Sequence, residues 1–146
     1  MSPITRHLPY IVTPGNHESY AMGQVFNFRF RMPNTPDNDS DQRQNHYYDF
    51  VIKNVYYMTI NLDYILMLHP VQMPAVLAWM ETRLVMAGLQ DSLTDKVFST
   101  HRPIICNDPI YTADCTINFY LYKPIEDLLV KYNITFVMNG HVHIYS

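Results

Sequence analysis

Histidine and asparagine recur in this chain in tight local groups. His141 and His143 are separated by one residue and follow Gly140, Asn16 and His17 stand together between Gly15 and Glu18, and His101 precedes Arg102 and Pro103. In extended backbone the side chains alternate, so two histidines at i and i+2 face the same side and can serve one small site. Imidazole nitrogens combined with an amide oxygen suit a borderline transition metal such as Zn, Mn or Fe rather than calcium. The chemistry open to Asn16, His101, His141 and His143 is therefore metal coordination. Gly15 and Gly140 fit a backbone that turns sharply or takes positive φ to aim its neighbours inward.

Each group lies where a short apolar run stops. Residues 10–13 (Tyr-Ile-Val-Thr) predict a strand ended by Pro14 and Gly15, and 96–100 (Lys-Val-Phe-Ser-Thr) predict one that delivers His101 as Arg102 and Pro103 end it. Residues 134–138 (Ile-Thr-Phe-Val-Met) predict a buried strand leading to Gly140. In open α/β sheets ligands bind at the carboxyl ends of strands, so these groups fall where the topology brings them together. His7, His46 and His69 have no such placement and read as surface or internally satisfied side chains.

The rest of the chain supplies a frame for those ends. Residues 47–52 and 55–62 predict two strands joined by a tight turn at Lys53 and Asn54, the second central and covered on both faces. Pro74 suits a first helical turn, and Leu77, Met80 and Leu84 recur at helical spacing up to Gly88. Ile125, Leu128, Leu129 and Tyr132 mark a second amphipathic helix starting at Lys123. Residues 26–33 are aromatic and basic without a clean period and predict irregular packing beside the site. Residues 34–45 lack large apolar side chains and predict an exposed loop. Strand and helix alternate, which is the α/β class.

The 146 residues, 48% hydrophobic and 16% charged, predict one globular domain. The net charge of −3 and scattered Lys and Arg give no footprint for nucleic acid. No stretch is apolar for long enough to cross a bilayer, and the first nine residues lack the apolar run of a secretory signal. There is no P-loop, GxSxG elbow or CxxC motif. Cys106 and Cys115 are spaced for a small disulfide loop and equally for two free thiols. Asn38 and Asn133 each match a glycosylation acceptor pattern.

Taken in order, Pro-Gly-Asn-His-Glu at 14–18, His-Arg-Pro at 101–103 and Gly-His-Val-His-x-Tyr at 140–145 resemble the metallophosphoesterases, and among them the purple acid phosphatases. The resemblance runs through Phe30-x-Met32-Pro33, Tyr48-x-Phe50, the helix with Trp79, and Cys106 with Cys115. It implies a four-layer α/β/β/α sandwich and hydrolysis of phosphoric monoesters by metal-activated hydroxide at a dinuclear centre of Fe with Zn, Mn or Fe. It implies that Asn16, His101 and His141 ligate the second, divalent metal, that His143 ligates the first, and that His17 contacts the phosphate and protonates the leaving group. It further implies a disulfide between Cys106 and Cys115 and a secreted, vacuolar or lysosomal glycoprotein acting on a small phosphate ester, with no nucleic-acid or membrane partner.

Two motifs of that family, Gly-Asp-x-Gly and Gly-Asp-x-x-Tyr, do not occur in the chain. They would supply the bridging aspartate and further ligands of the first metal. Residues 1–146 are therefore expected to be an incomplete catalytic domain, cut at both ends, that holds at most one divalent metal and is impaired as a catalyst. A metallophosphoesterase acting on diesters or nucleotides, and a remnant that binds metal without catalysis, are the competing readings.

Overall fold

The apolar runs flanking Lys53 and Asn54 pair as an antiparallel hairpin, β1 (Tyr47–Ile52) with β2 (Val55–Ile60), in register from Tyr47 opposite Ile60 to Ile52 opposite Val55. A two-residue hairpin loop demands left-handed backbone, and Lys53 adopts it at φ 56°. The structure is a computed structural model and describes residues 10–18, 24–33, 45–68, 70–105 and 112–142, the side chains of 66–68 and 112–120 excepted.

From β2 the chain passes through a π-helical segment (Asp63–Leu68) into helix α2 (Met73–Gly88) and returns as β3 (Asp95–Thr100), parallel to β2. Helix α3 (Thr112–Lys131) makes the next crossover to β4 (Phe136–Met138), parallel to β3. Parallel neighbours need such crossovers, because the chain must travel back along the sheet before it can pair again. The result is one four-stranded mixed sheet in the order β1-β2-β3-β4. Its α/β character agrees with part of the expected sandwich.

Both long helices bury their apolar stripes in one core. Val76, Met80 and Leu84 of α2 and Tyr122, Ile125 and Leu129 of α3 meet Met58 and Ile60 of β2 and Phe98 of β3. At Glu81 the two helices are also joined on the surface, where its carboxylate accepts from Lys131 Nζ at 2.7 Å and Tyr132 Oη at 3.1 Å. Exposed pairs of this kind contribute about 1 kcal/mol or less. The hairpin carries an aromatic row of Tyr48, Phe50 and Tyr57, stacked at 6.2 and 5.1 Å between ring centres.

Several expectations differ from what forms. Residues 10–13 are not a strand: Val12 N–H donates to Met32 Sδ, and its carbonyl accepts from Tyr48 Oη at 2.8 Å, so side chains take the place of a neighbouring strand. Within the region expected to be irregular, Gln24–Arg29 forms a short helix, α1, that buries Phe26 and leaves Phe28 exposed. Asn45, placed by sequence in an exposed loop, is buried because its side chain accepts from Met32 N–H at 3.0 Å and donates to Phe30 C=O at 2.6 Å; residues 34–44 lie outside the described set. Helix α3 begins at Thr112 rather than Lys123 and carries Pro124 inside it, which removes one backbone donor without ending the helix. Strand β4 is not buried: Phe136, Val137 and Met138 are 59, 48 and 59% exposed, because β4 is the last strand of the described sheet.

Candidate metal site

The parallel course of β2, β3 and β4 sends three chain exits to one edge of the sheet. Register pairs Ile60 with Thr100 and Ser99 with Met138, so Asp63, His101 and His141 all follow the same ends. Segment 10–18 approaches that edge from β3, where the hydroxyls of Thr13 and Ser99 lie 3.4 Å apart. Its turn is closed twice: Glu18 N–H donates to Gly15 C=O at 3.2 Å, and Gly15 N–H donates to Glu18 Oε2 at 3.0 Å. Asn16 sits inside that turn.

Three donor atoms converge there. His101 Nε2 is 2.9 Å from Asn16 Oδ1 and 3.1 Å from His141 Nδ1. The two imidazoles meet edge to face, at 5.0 Å between centres and 76° between planes, so they converge through nitrogen atoms rather than by stacking. The backbone holds the arrangement, since Gly140 N–H donates to His101 C=O at 2.9 Å and ties the exit of β4 to that of β3.

The two glycines play different parts. A Cβ on Gly15 would lie 2.8 Å from both Cδ2 and Nε2 of His101, so the bare backbone at 15 is what lets the imidazole reach Asn16. At Gly140 an added Cβ would meet His101 only at ordinary contact distance, 3.8 Å. The positive φ expected beside the second histidine group falls on His141 itself, at 68°. A non-glycine residue in that region is strained and persists where its surroundings hold it.

His17 is exposed and makes no hydrogen bond or ion pair among the described residues. His143, Cys106 and the side chain of Cys115 lie outside them. His46 is buried, stacked on Tyr64 at 3.4 Å and bonded at Nδ1 to Asn61 Nδ2 at 3.2 Å, a satisfied core histidine as its sequence position suggested.

Sequence reasoning did not find the ion pair beneath the site. Asp63, 1% exposed, accepts from Arg102 Nε at 2.5 Å, immediately beyond His101. The available signal was an acidic residue set inside the apolar run Leu62-Asp63-Tyr64-Ile65, since Asp is rarely buried unless paired. Asp49 is committed elsewhere: its Oδ2 accepts from Arg83 Nε at 2.8 Å and from Tyr56 Oη at 3.1 Å. Burial pushes the pKa of Tyr56 far up, reinforced by the Asp49 charge, so its phenol stays protonated as the donor.

Burial also lowers the pKa of His101. The Asp63 carboxylate opposes that shift, while His141 and Arg102 add to it. A neutral imidazole with an available lone pair is the form a cation needs.

Asn16, His101 and His141 fit a divalent transition metal. A ring nitrogen has one proton or one lone pair, so His101 Nε2 cannot make full hydrogen bonds to two partners at once. Donor spacings near 3 Å are those between adjacent ligands around an ion bonded at about 2.1 Å. A cation would engage all three atoms together. Among the described residues no group of three or more His, Cys, Asp and Glu side chains could hold a metal; the two imidazoles converge instead with an amide oxygen, that of Asn16.

A cavity of ≈ 460 Å³ is lined by Ile104, Leu129, Ile134 and Val137 together with Glu126 and Asn139, with none of the three donor residues in its wall. No helix among the described residues is long and apolar enough to cross a membrane. Compared with known proteins, residues 1–145 match the family of calcineurin-like phosphoesterases. Neither the curated proteins nor the solved structures contain a match.

Proposed function

Since the chain belongs to the calcineurin-like phosphoesterases, hydrolases that act on phosphoesters with bound metal ions, we propose that its activity is hydrolysis of phosphoric monoesters in the manner of purple acid phosphatases. The observation that carries this reading is the junction of Asn16 Oδ1, His101 Nε2 and His141 Nδ1, with neighbours 2.9 and 3.1 Å apart. A bound divalent ion supplies two things there, acidification of water to a nucleophile and polarisation of the phosphoryl group.

The residues of the chain divide the remaining work. Asn16, His101 and His141 would hold the ion, and His143, two residues beyond His141, would serve a first metal. His17 follows Asn16 in the same turn and is exposed to solvent. In that place a protonated imidazole can donate to a phosphate oxygen and supply the proton to the leaving alkoxide, as general acid. The three donors are neutral, so the charge of a bound ion is uncompensated by them. Residues 1–146, which lack both Gly-Asp motifs, are proposed to bind one divalent ion weakly and to turn over slowly. The exposed Asn133 and the Cys106 and Cys115 pair support a proposed secretory location, to be tested by glycosidase shift and free-thiol labelling.

The test is bound metal per chain, measured with Zn²⁺, Mn²⁺ and Fe²⁺, beside turnover of a generic phosphomonoester and a diester. His101→Ala and His141→Ala are each expected to weaken metal binding by about tenfold or more, with activity falling in parallel. His17→Ala is expected to leave metal binding intact and to slow substrates with poor leaving groups most. Unchanged metal affinity in both His101→Ala and His141→Ala would overturn the assignment, and preference for the diester would overturn the substrate class.

A further inference from the structure

Beyond the three donors, the exit of β3 carries a polar arrangement with no evident purpose in a core. The strand ends at Thr100, His101 follows it out of the ladder, and Arg102 then turns back into the interior, where its side chain is 11% exposed and meets a carboxylate that is 1% exposed. Asp63 belongs to the π-helical segment that leaves β2 at the same sheet edge. Such segments are rare and occur disproportionately at functional sites.

Stability alone does not account for the pair. A buried ion pair repays its desolvation only when its remaining polar atoms are also bonded, and apolar residues of similar volume often serve as well or better. Among the described residues Asp63 Oδ2 is buried without a hydrogen-bond partner, and so is Thr100 Oγ1, the hydroxyl next to His101 in sequence. What the pair does fix is geometry. It joins the residue after His101 to the end of β2, while the bond from Gly140 N–H to His101 C=O holds the other side. The carboxylate is also near enough for its charge to act on the imidazole.

We propose that Asp63 is a positioning residue for His101: through Arg102 it fixes the exit of β3 so that His101 Nε2 stays at the junction with Asn16 Oδ1 and His141 Nδ1. This rests on the reading of that junction as a metal site. The prediction for ring placement, however, holds in the metal-free chain as well. Asp63 touches neither ion nor substrate in this role and acts only through the segment it anchors.

The experiment replaces the pair by apolar residues, Asp63→Leu with Arg102→Met, an exchange that keeps the interior filled and removes both charges. The first readout is the proton NMR cross-peak between the rings of His101 and His141 in the metal-free chain. The second is Co²⁺ affinity followed by its ligand-field spectrum. The double variant is expected to fold, to lose the ring cross-peak, and to bind Co²⁺ about 10–100-fold more weakly than the wild-type chain. A folded double variant that keeps both the cross-peak and the affinity would overturn the proposal and leave the pair a structural element only. Should the double variant not fold, Asp63→Asn, which keeps the shape and loses the charge, is read by the same cross-peak: its loss supports the positioning role and its persistence overturns it. A wild-type chain that shows the cross-peak and binds no Co²⁺ would refute the metal reading, while the variants would still decide whether Asp63 positions the ring.

Discussion

Strands β3 and β4 lie side by side and parallel, and each delivers one histidine to the same point, but they hold those histidines by different means. At the exit of β3, Thr100, Arg102, Pro103 and Ile104 are buried around His101, and Phe98 two residues earlier is fully enclosed. Strand β4 is three residues long and exposed throughout, and the chain reaches His141, with left-handed backbone, three residues beyond its end. One histidine is held by a packed interior, while the other follows a backbone bond from Gly140 N–H to His101 C=O and is itself strained. A site assembled this way gains a fixed half and an adjustable half, since regions with few buried apolar contacts open at lower free energy than the core.

The widest separation between the halves is expected in packing. Phe98→Ala removes a fully buried ring between both helices and the sheet and should cost about 3–5 kcal/mol, whereas Val137→Ala on the exposed neighbour should stay within about 0.5 kcal/mol. Urea unfolding of the two variants checks this. Comparable losses would mean that β4 is covered by something beyond the described sheet.

The glycines sharpen the comparison at smaller scale. Gly15→Ala forces a methyl against the His101 ring and should destabilise by about 1–3 kcal/mol, unless the ring swings away and the contact to Asn16 is lost instead. Gly140→Ala meets only ordinary contacts and should be close to neutral. Thermal melts separate the pair in stability, and the His101 ring resonances report displacement directly.

Backbone strain gives the next effect. His141→Gly should be more stable than His141→Ala by about 1 kcal/mol, because only glycine occupies positive φ freely. At His101, which is not in that region, the order should reverse by about 0.5–1 kcal/mol. Equal stabilities for the two His141 variants would remove the strained half of the comparison.

The smallest effect is in pH. The depressed pKa of His101 means that the unfolded chain binds a proton more readily than the folded one. The stability it contributes is fully present above the ordinary imidazole value of about 6.5 and is lost as pH falls through the lower folded value. Denaturation midpoints between neutral pH and pH 5 should fall more steeply in the wild type than in His101→Ala. Identical slopes would show that burial leaves this imidazole unperturbed.

Much of the frame was legible in local pattern. The hairpin at Lys53 and Asn54, the stripe of Met80 and Leu84 in α2, and the strand before His101 each follow from the periodicity and turn chemistry of a few neighbouring residues. The three groups around Asn16, His101 and His141 were likewise visible, because side-chain types and spacing are properties of the chain itself, although the first follows no strand. Where local signals failed, a distant partner had decided the outcome. Residues 10–13 have strand composition, yet Tyr48 and Met32 bind their backbone, and Asn45 has loop composition, yet α1 and its flank enclose it.

By itself the sequence determined the hairpin, the core stripe of α2, the strand before His101 and the order of the motifs, since these rest on interactions over a few residues. Only the tertiary structure decided that His101 Nε2 is the shared vertex between Asn16 and His141, that Gly15 is bare because an imidazole lies against it, and that Asp63 is paired with Arg102 below. Each of these joins residues about 40 to 85 positions apart, and contacts at that separation are set by how the strands stack in the sheet rather than by any pattern along the chain.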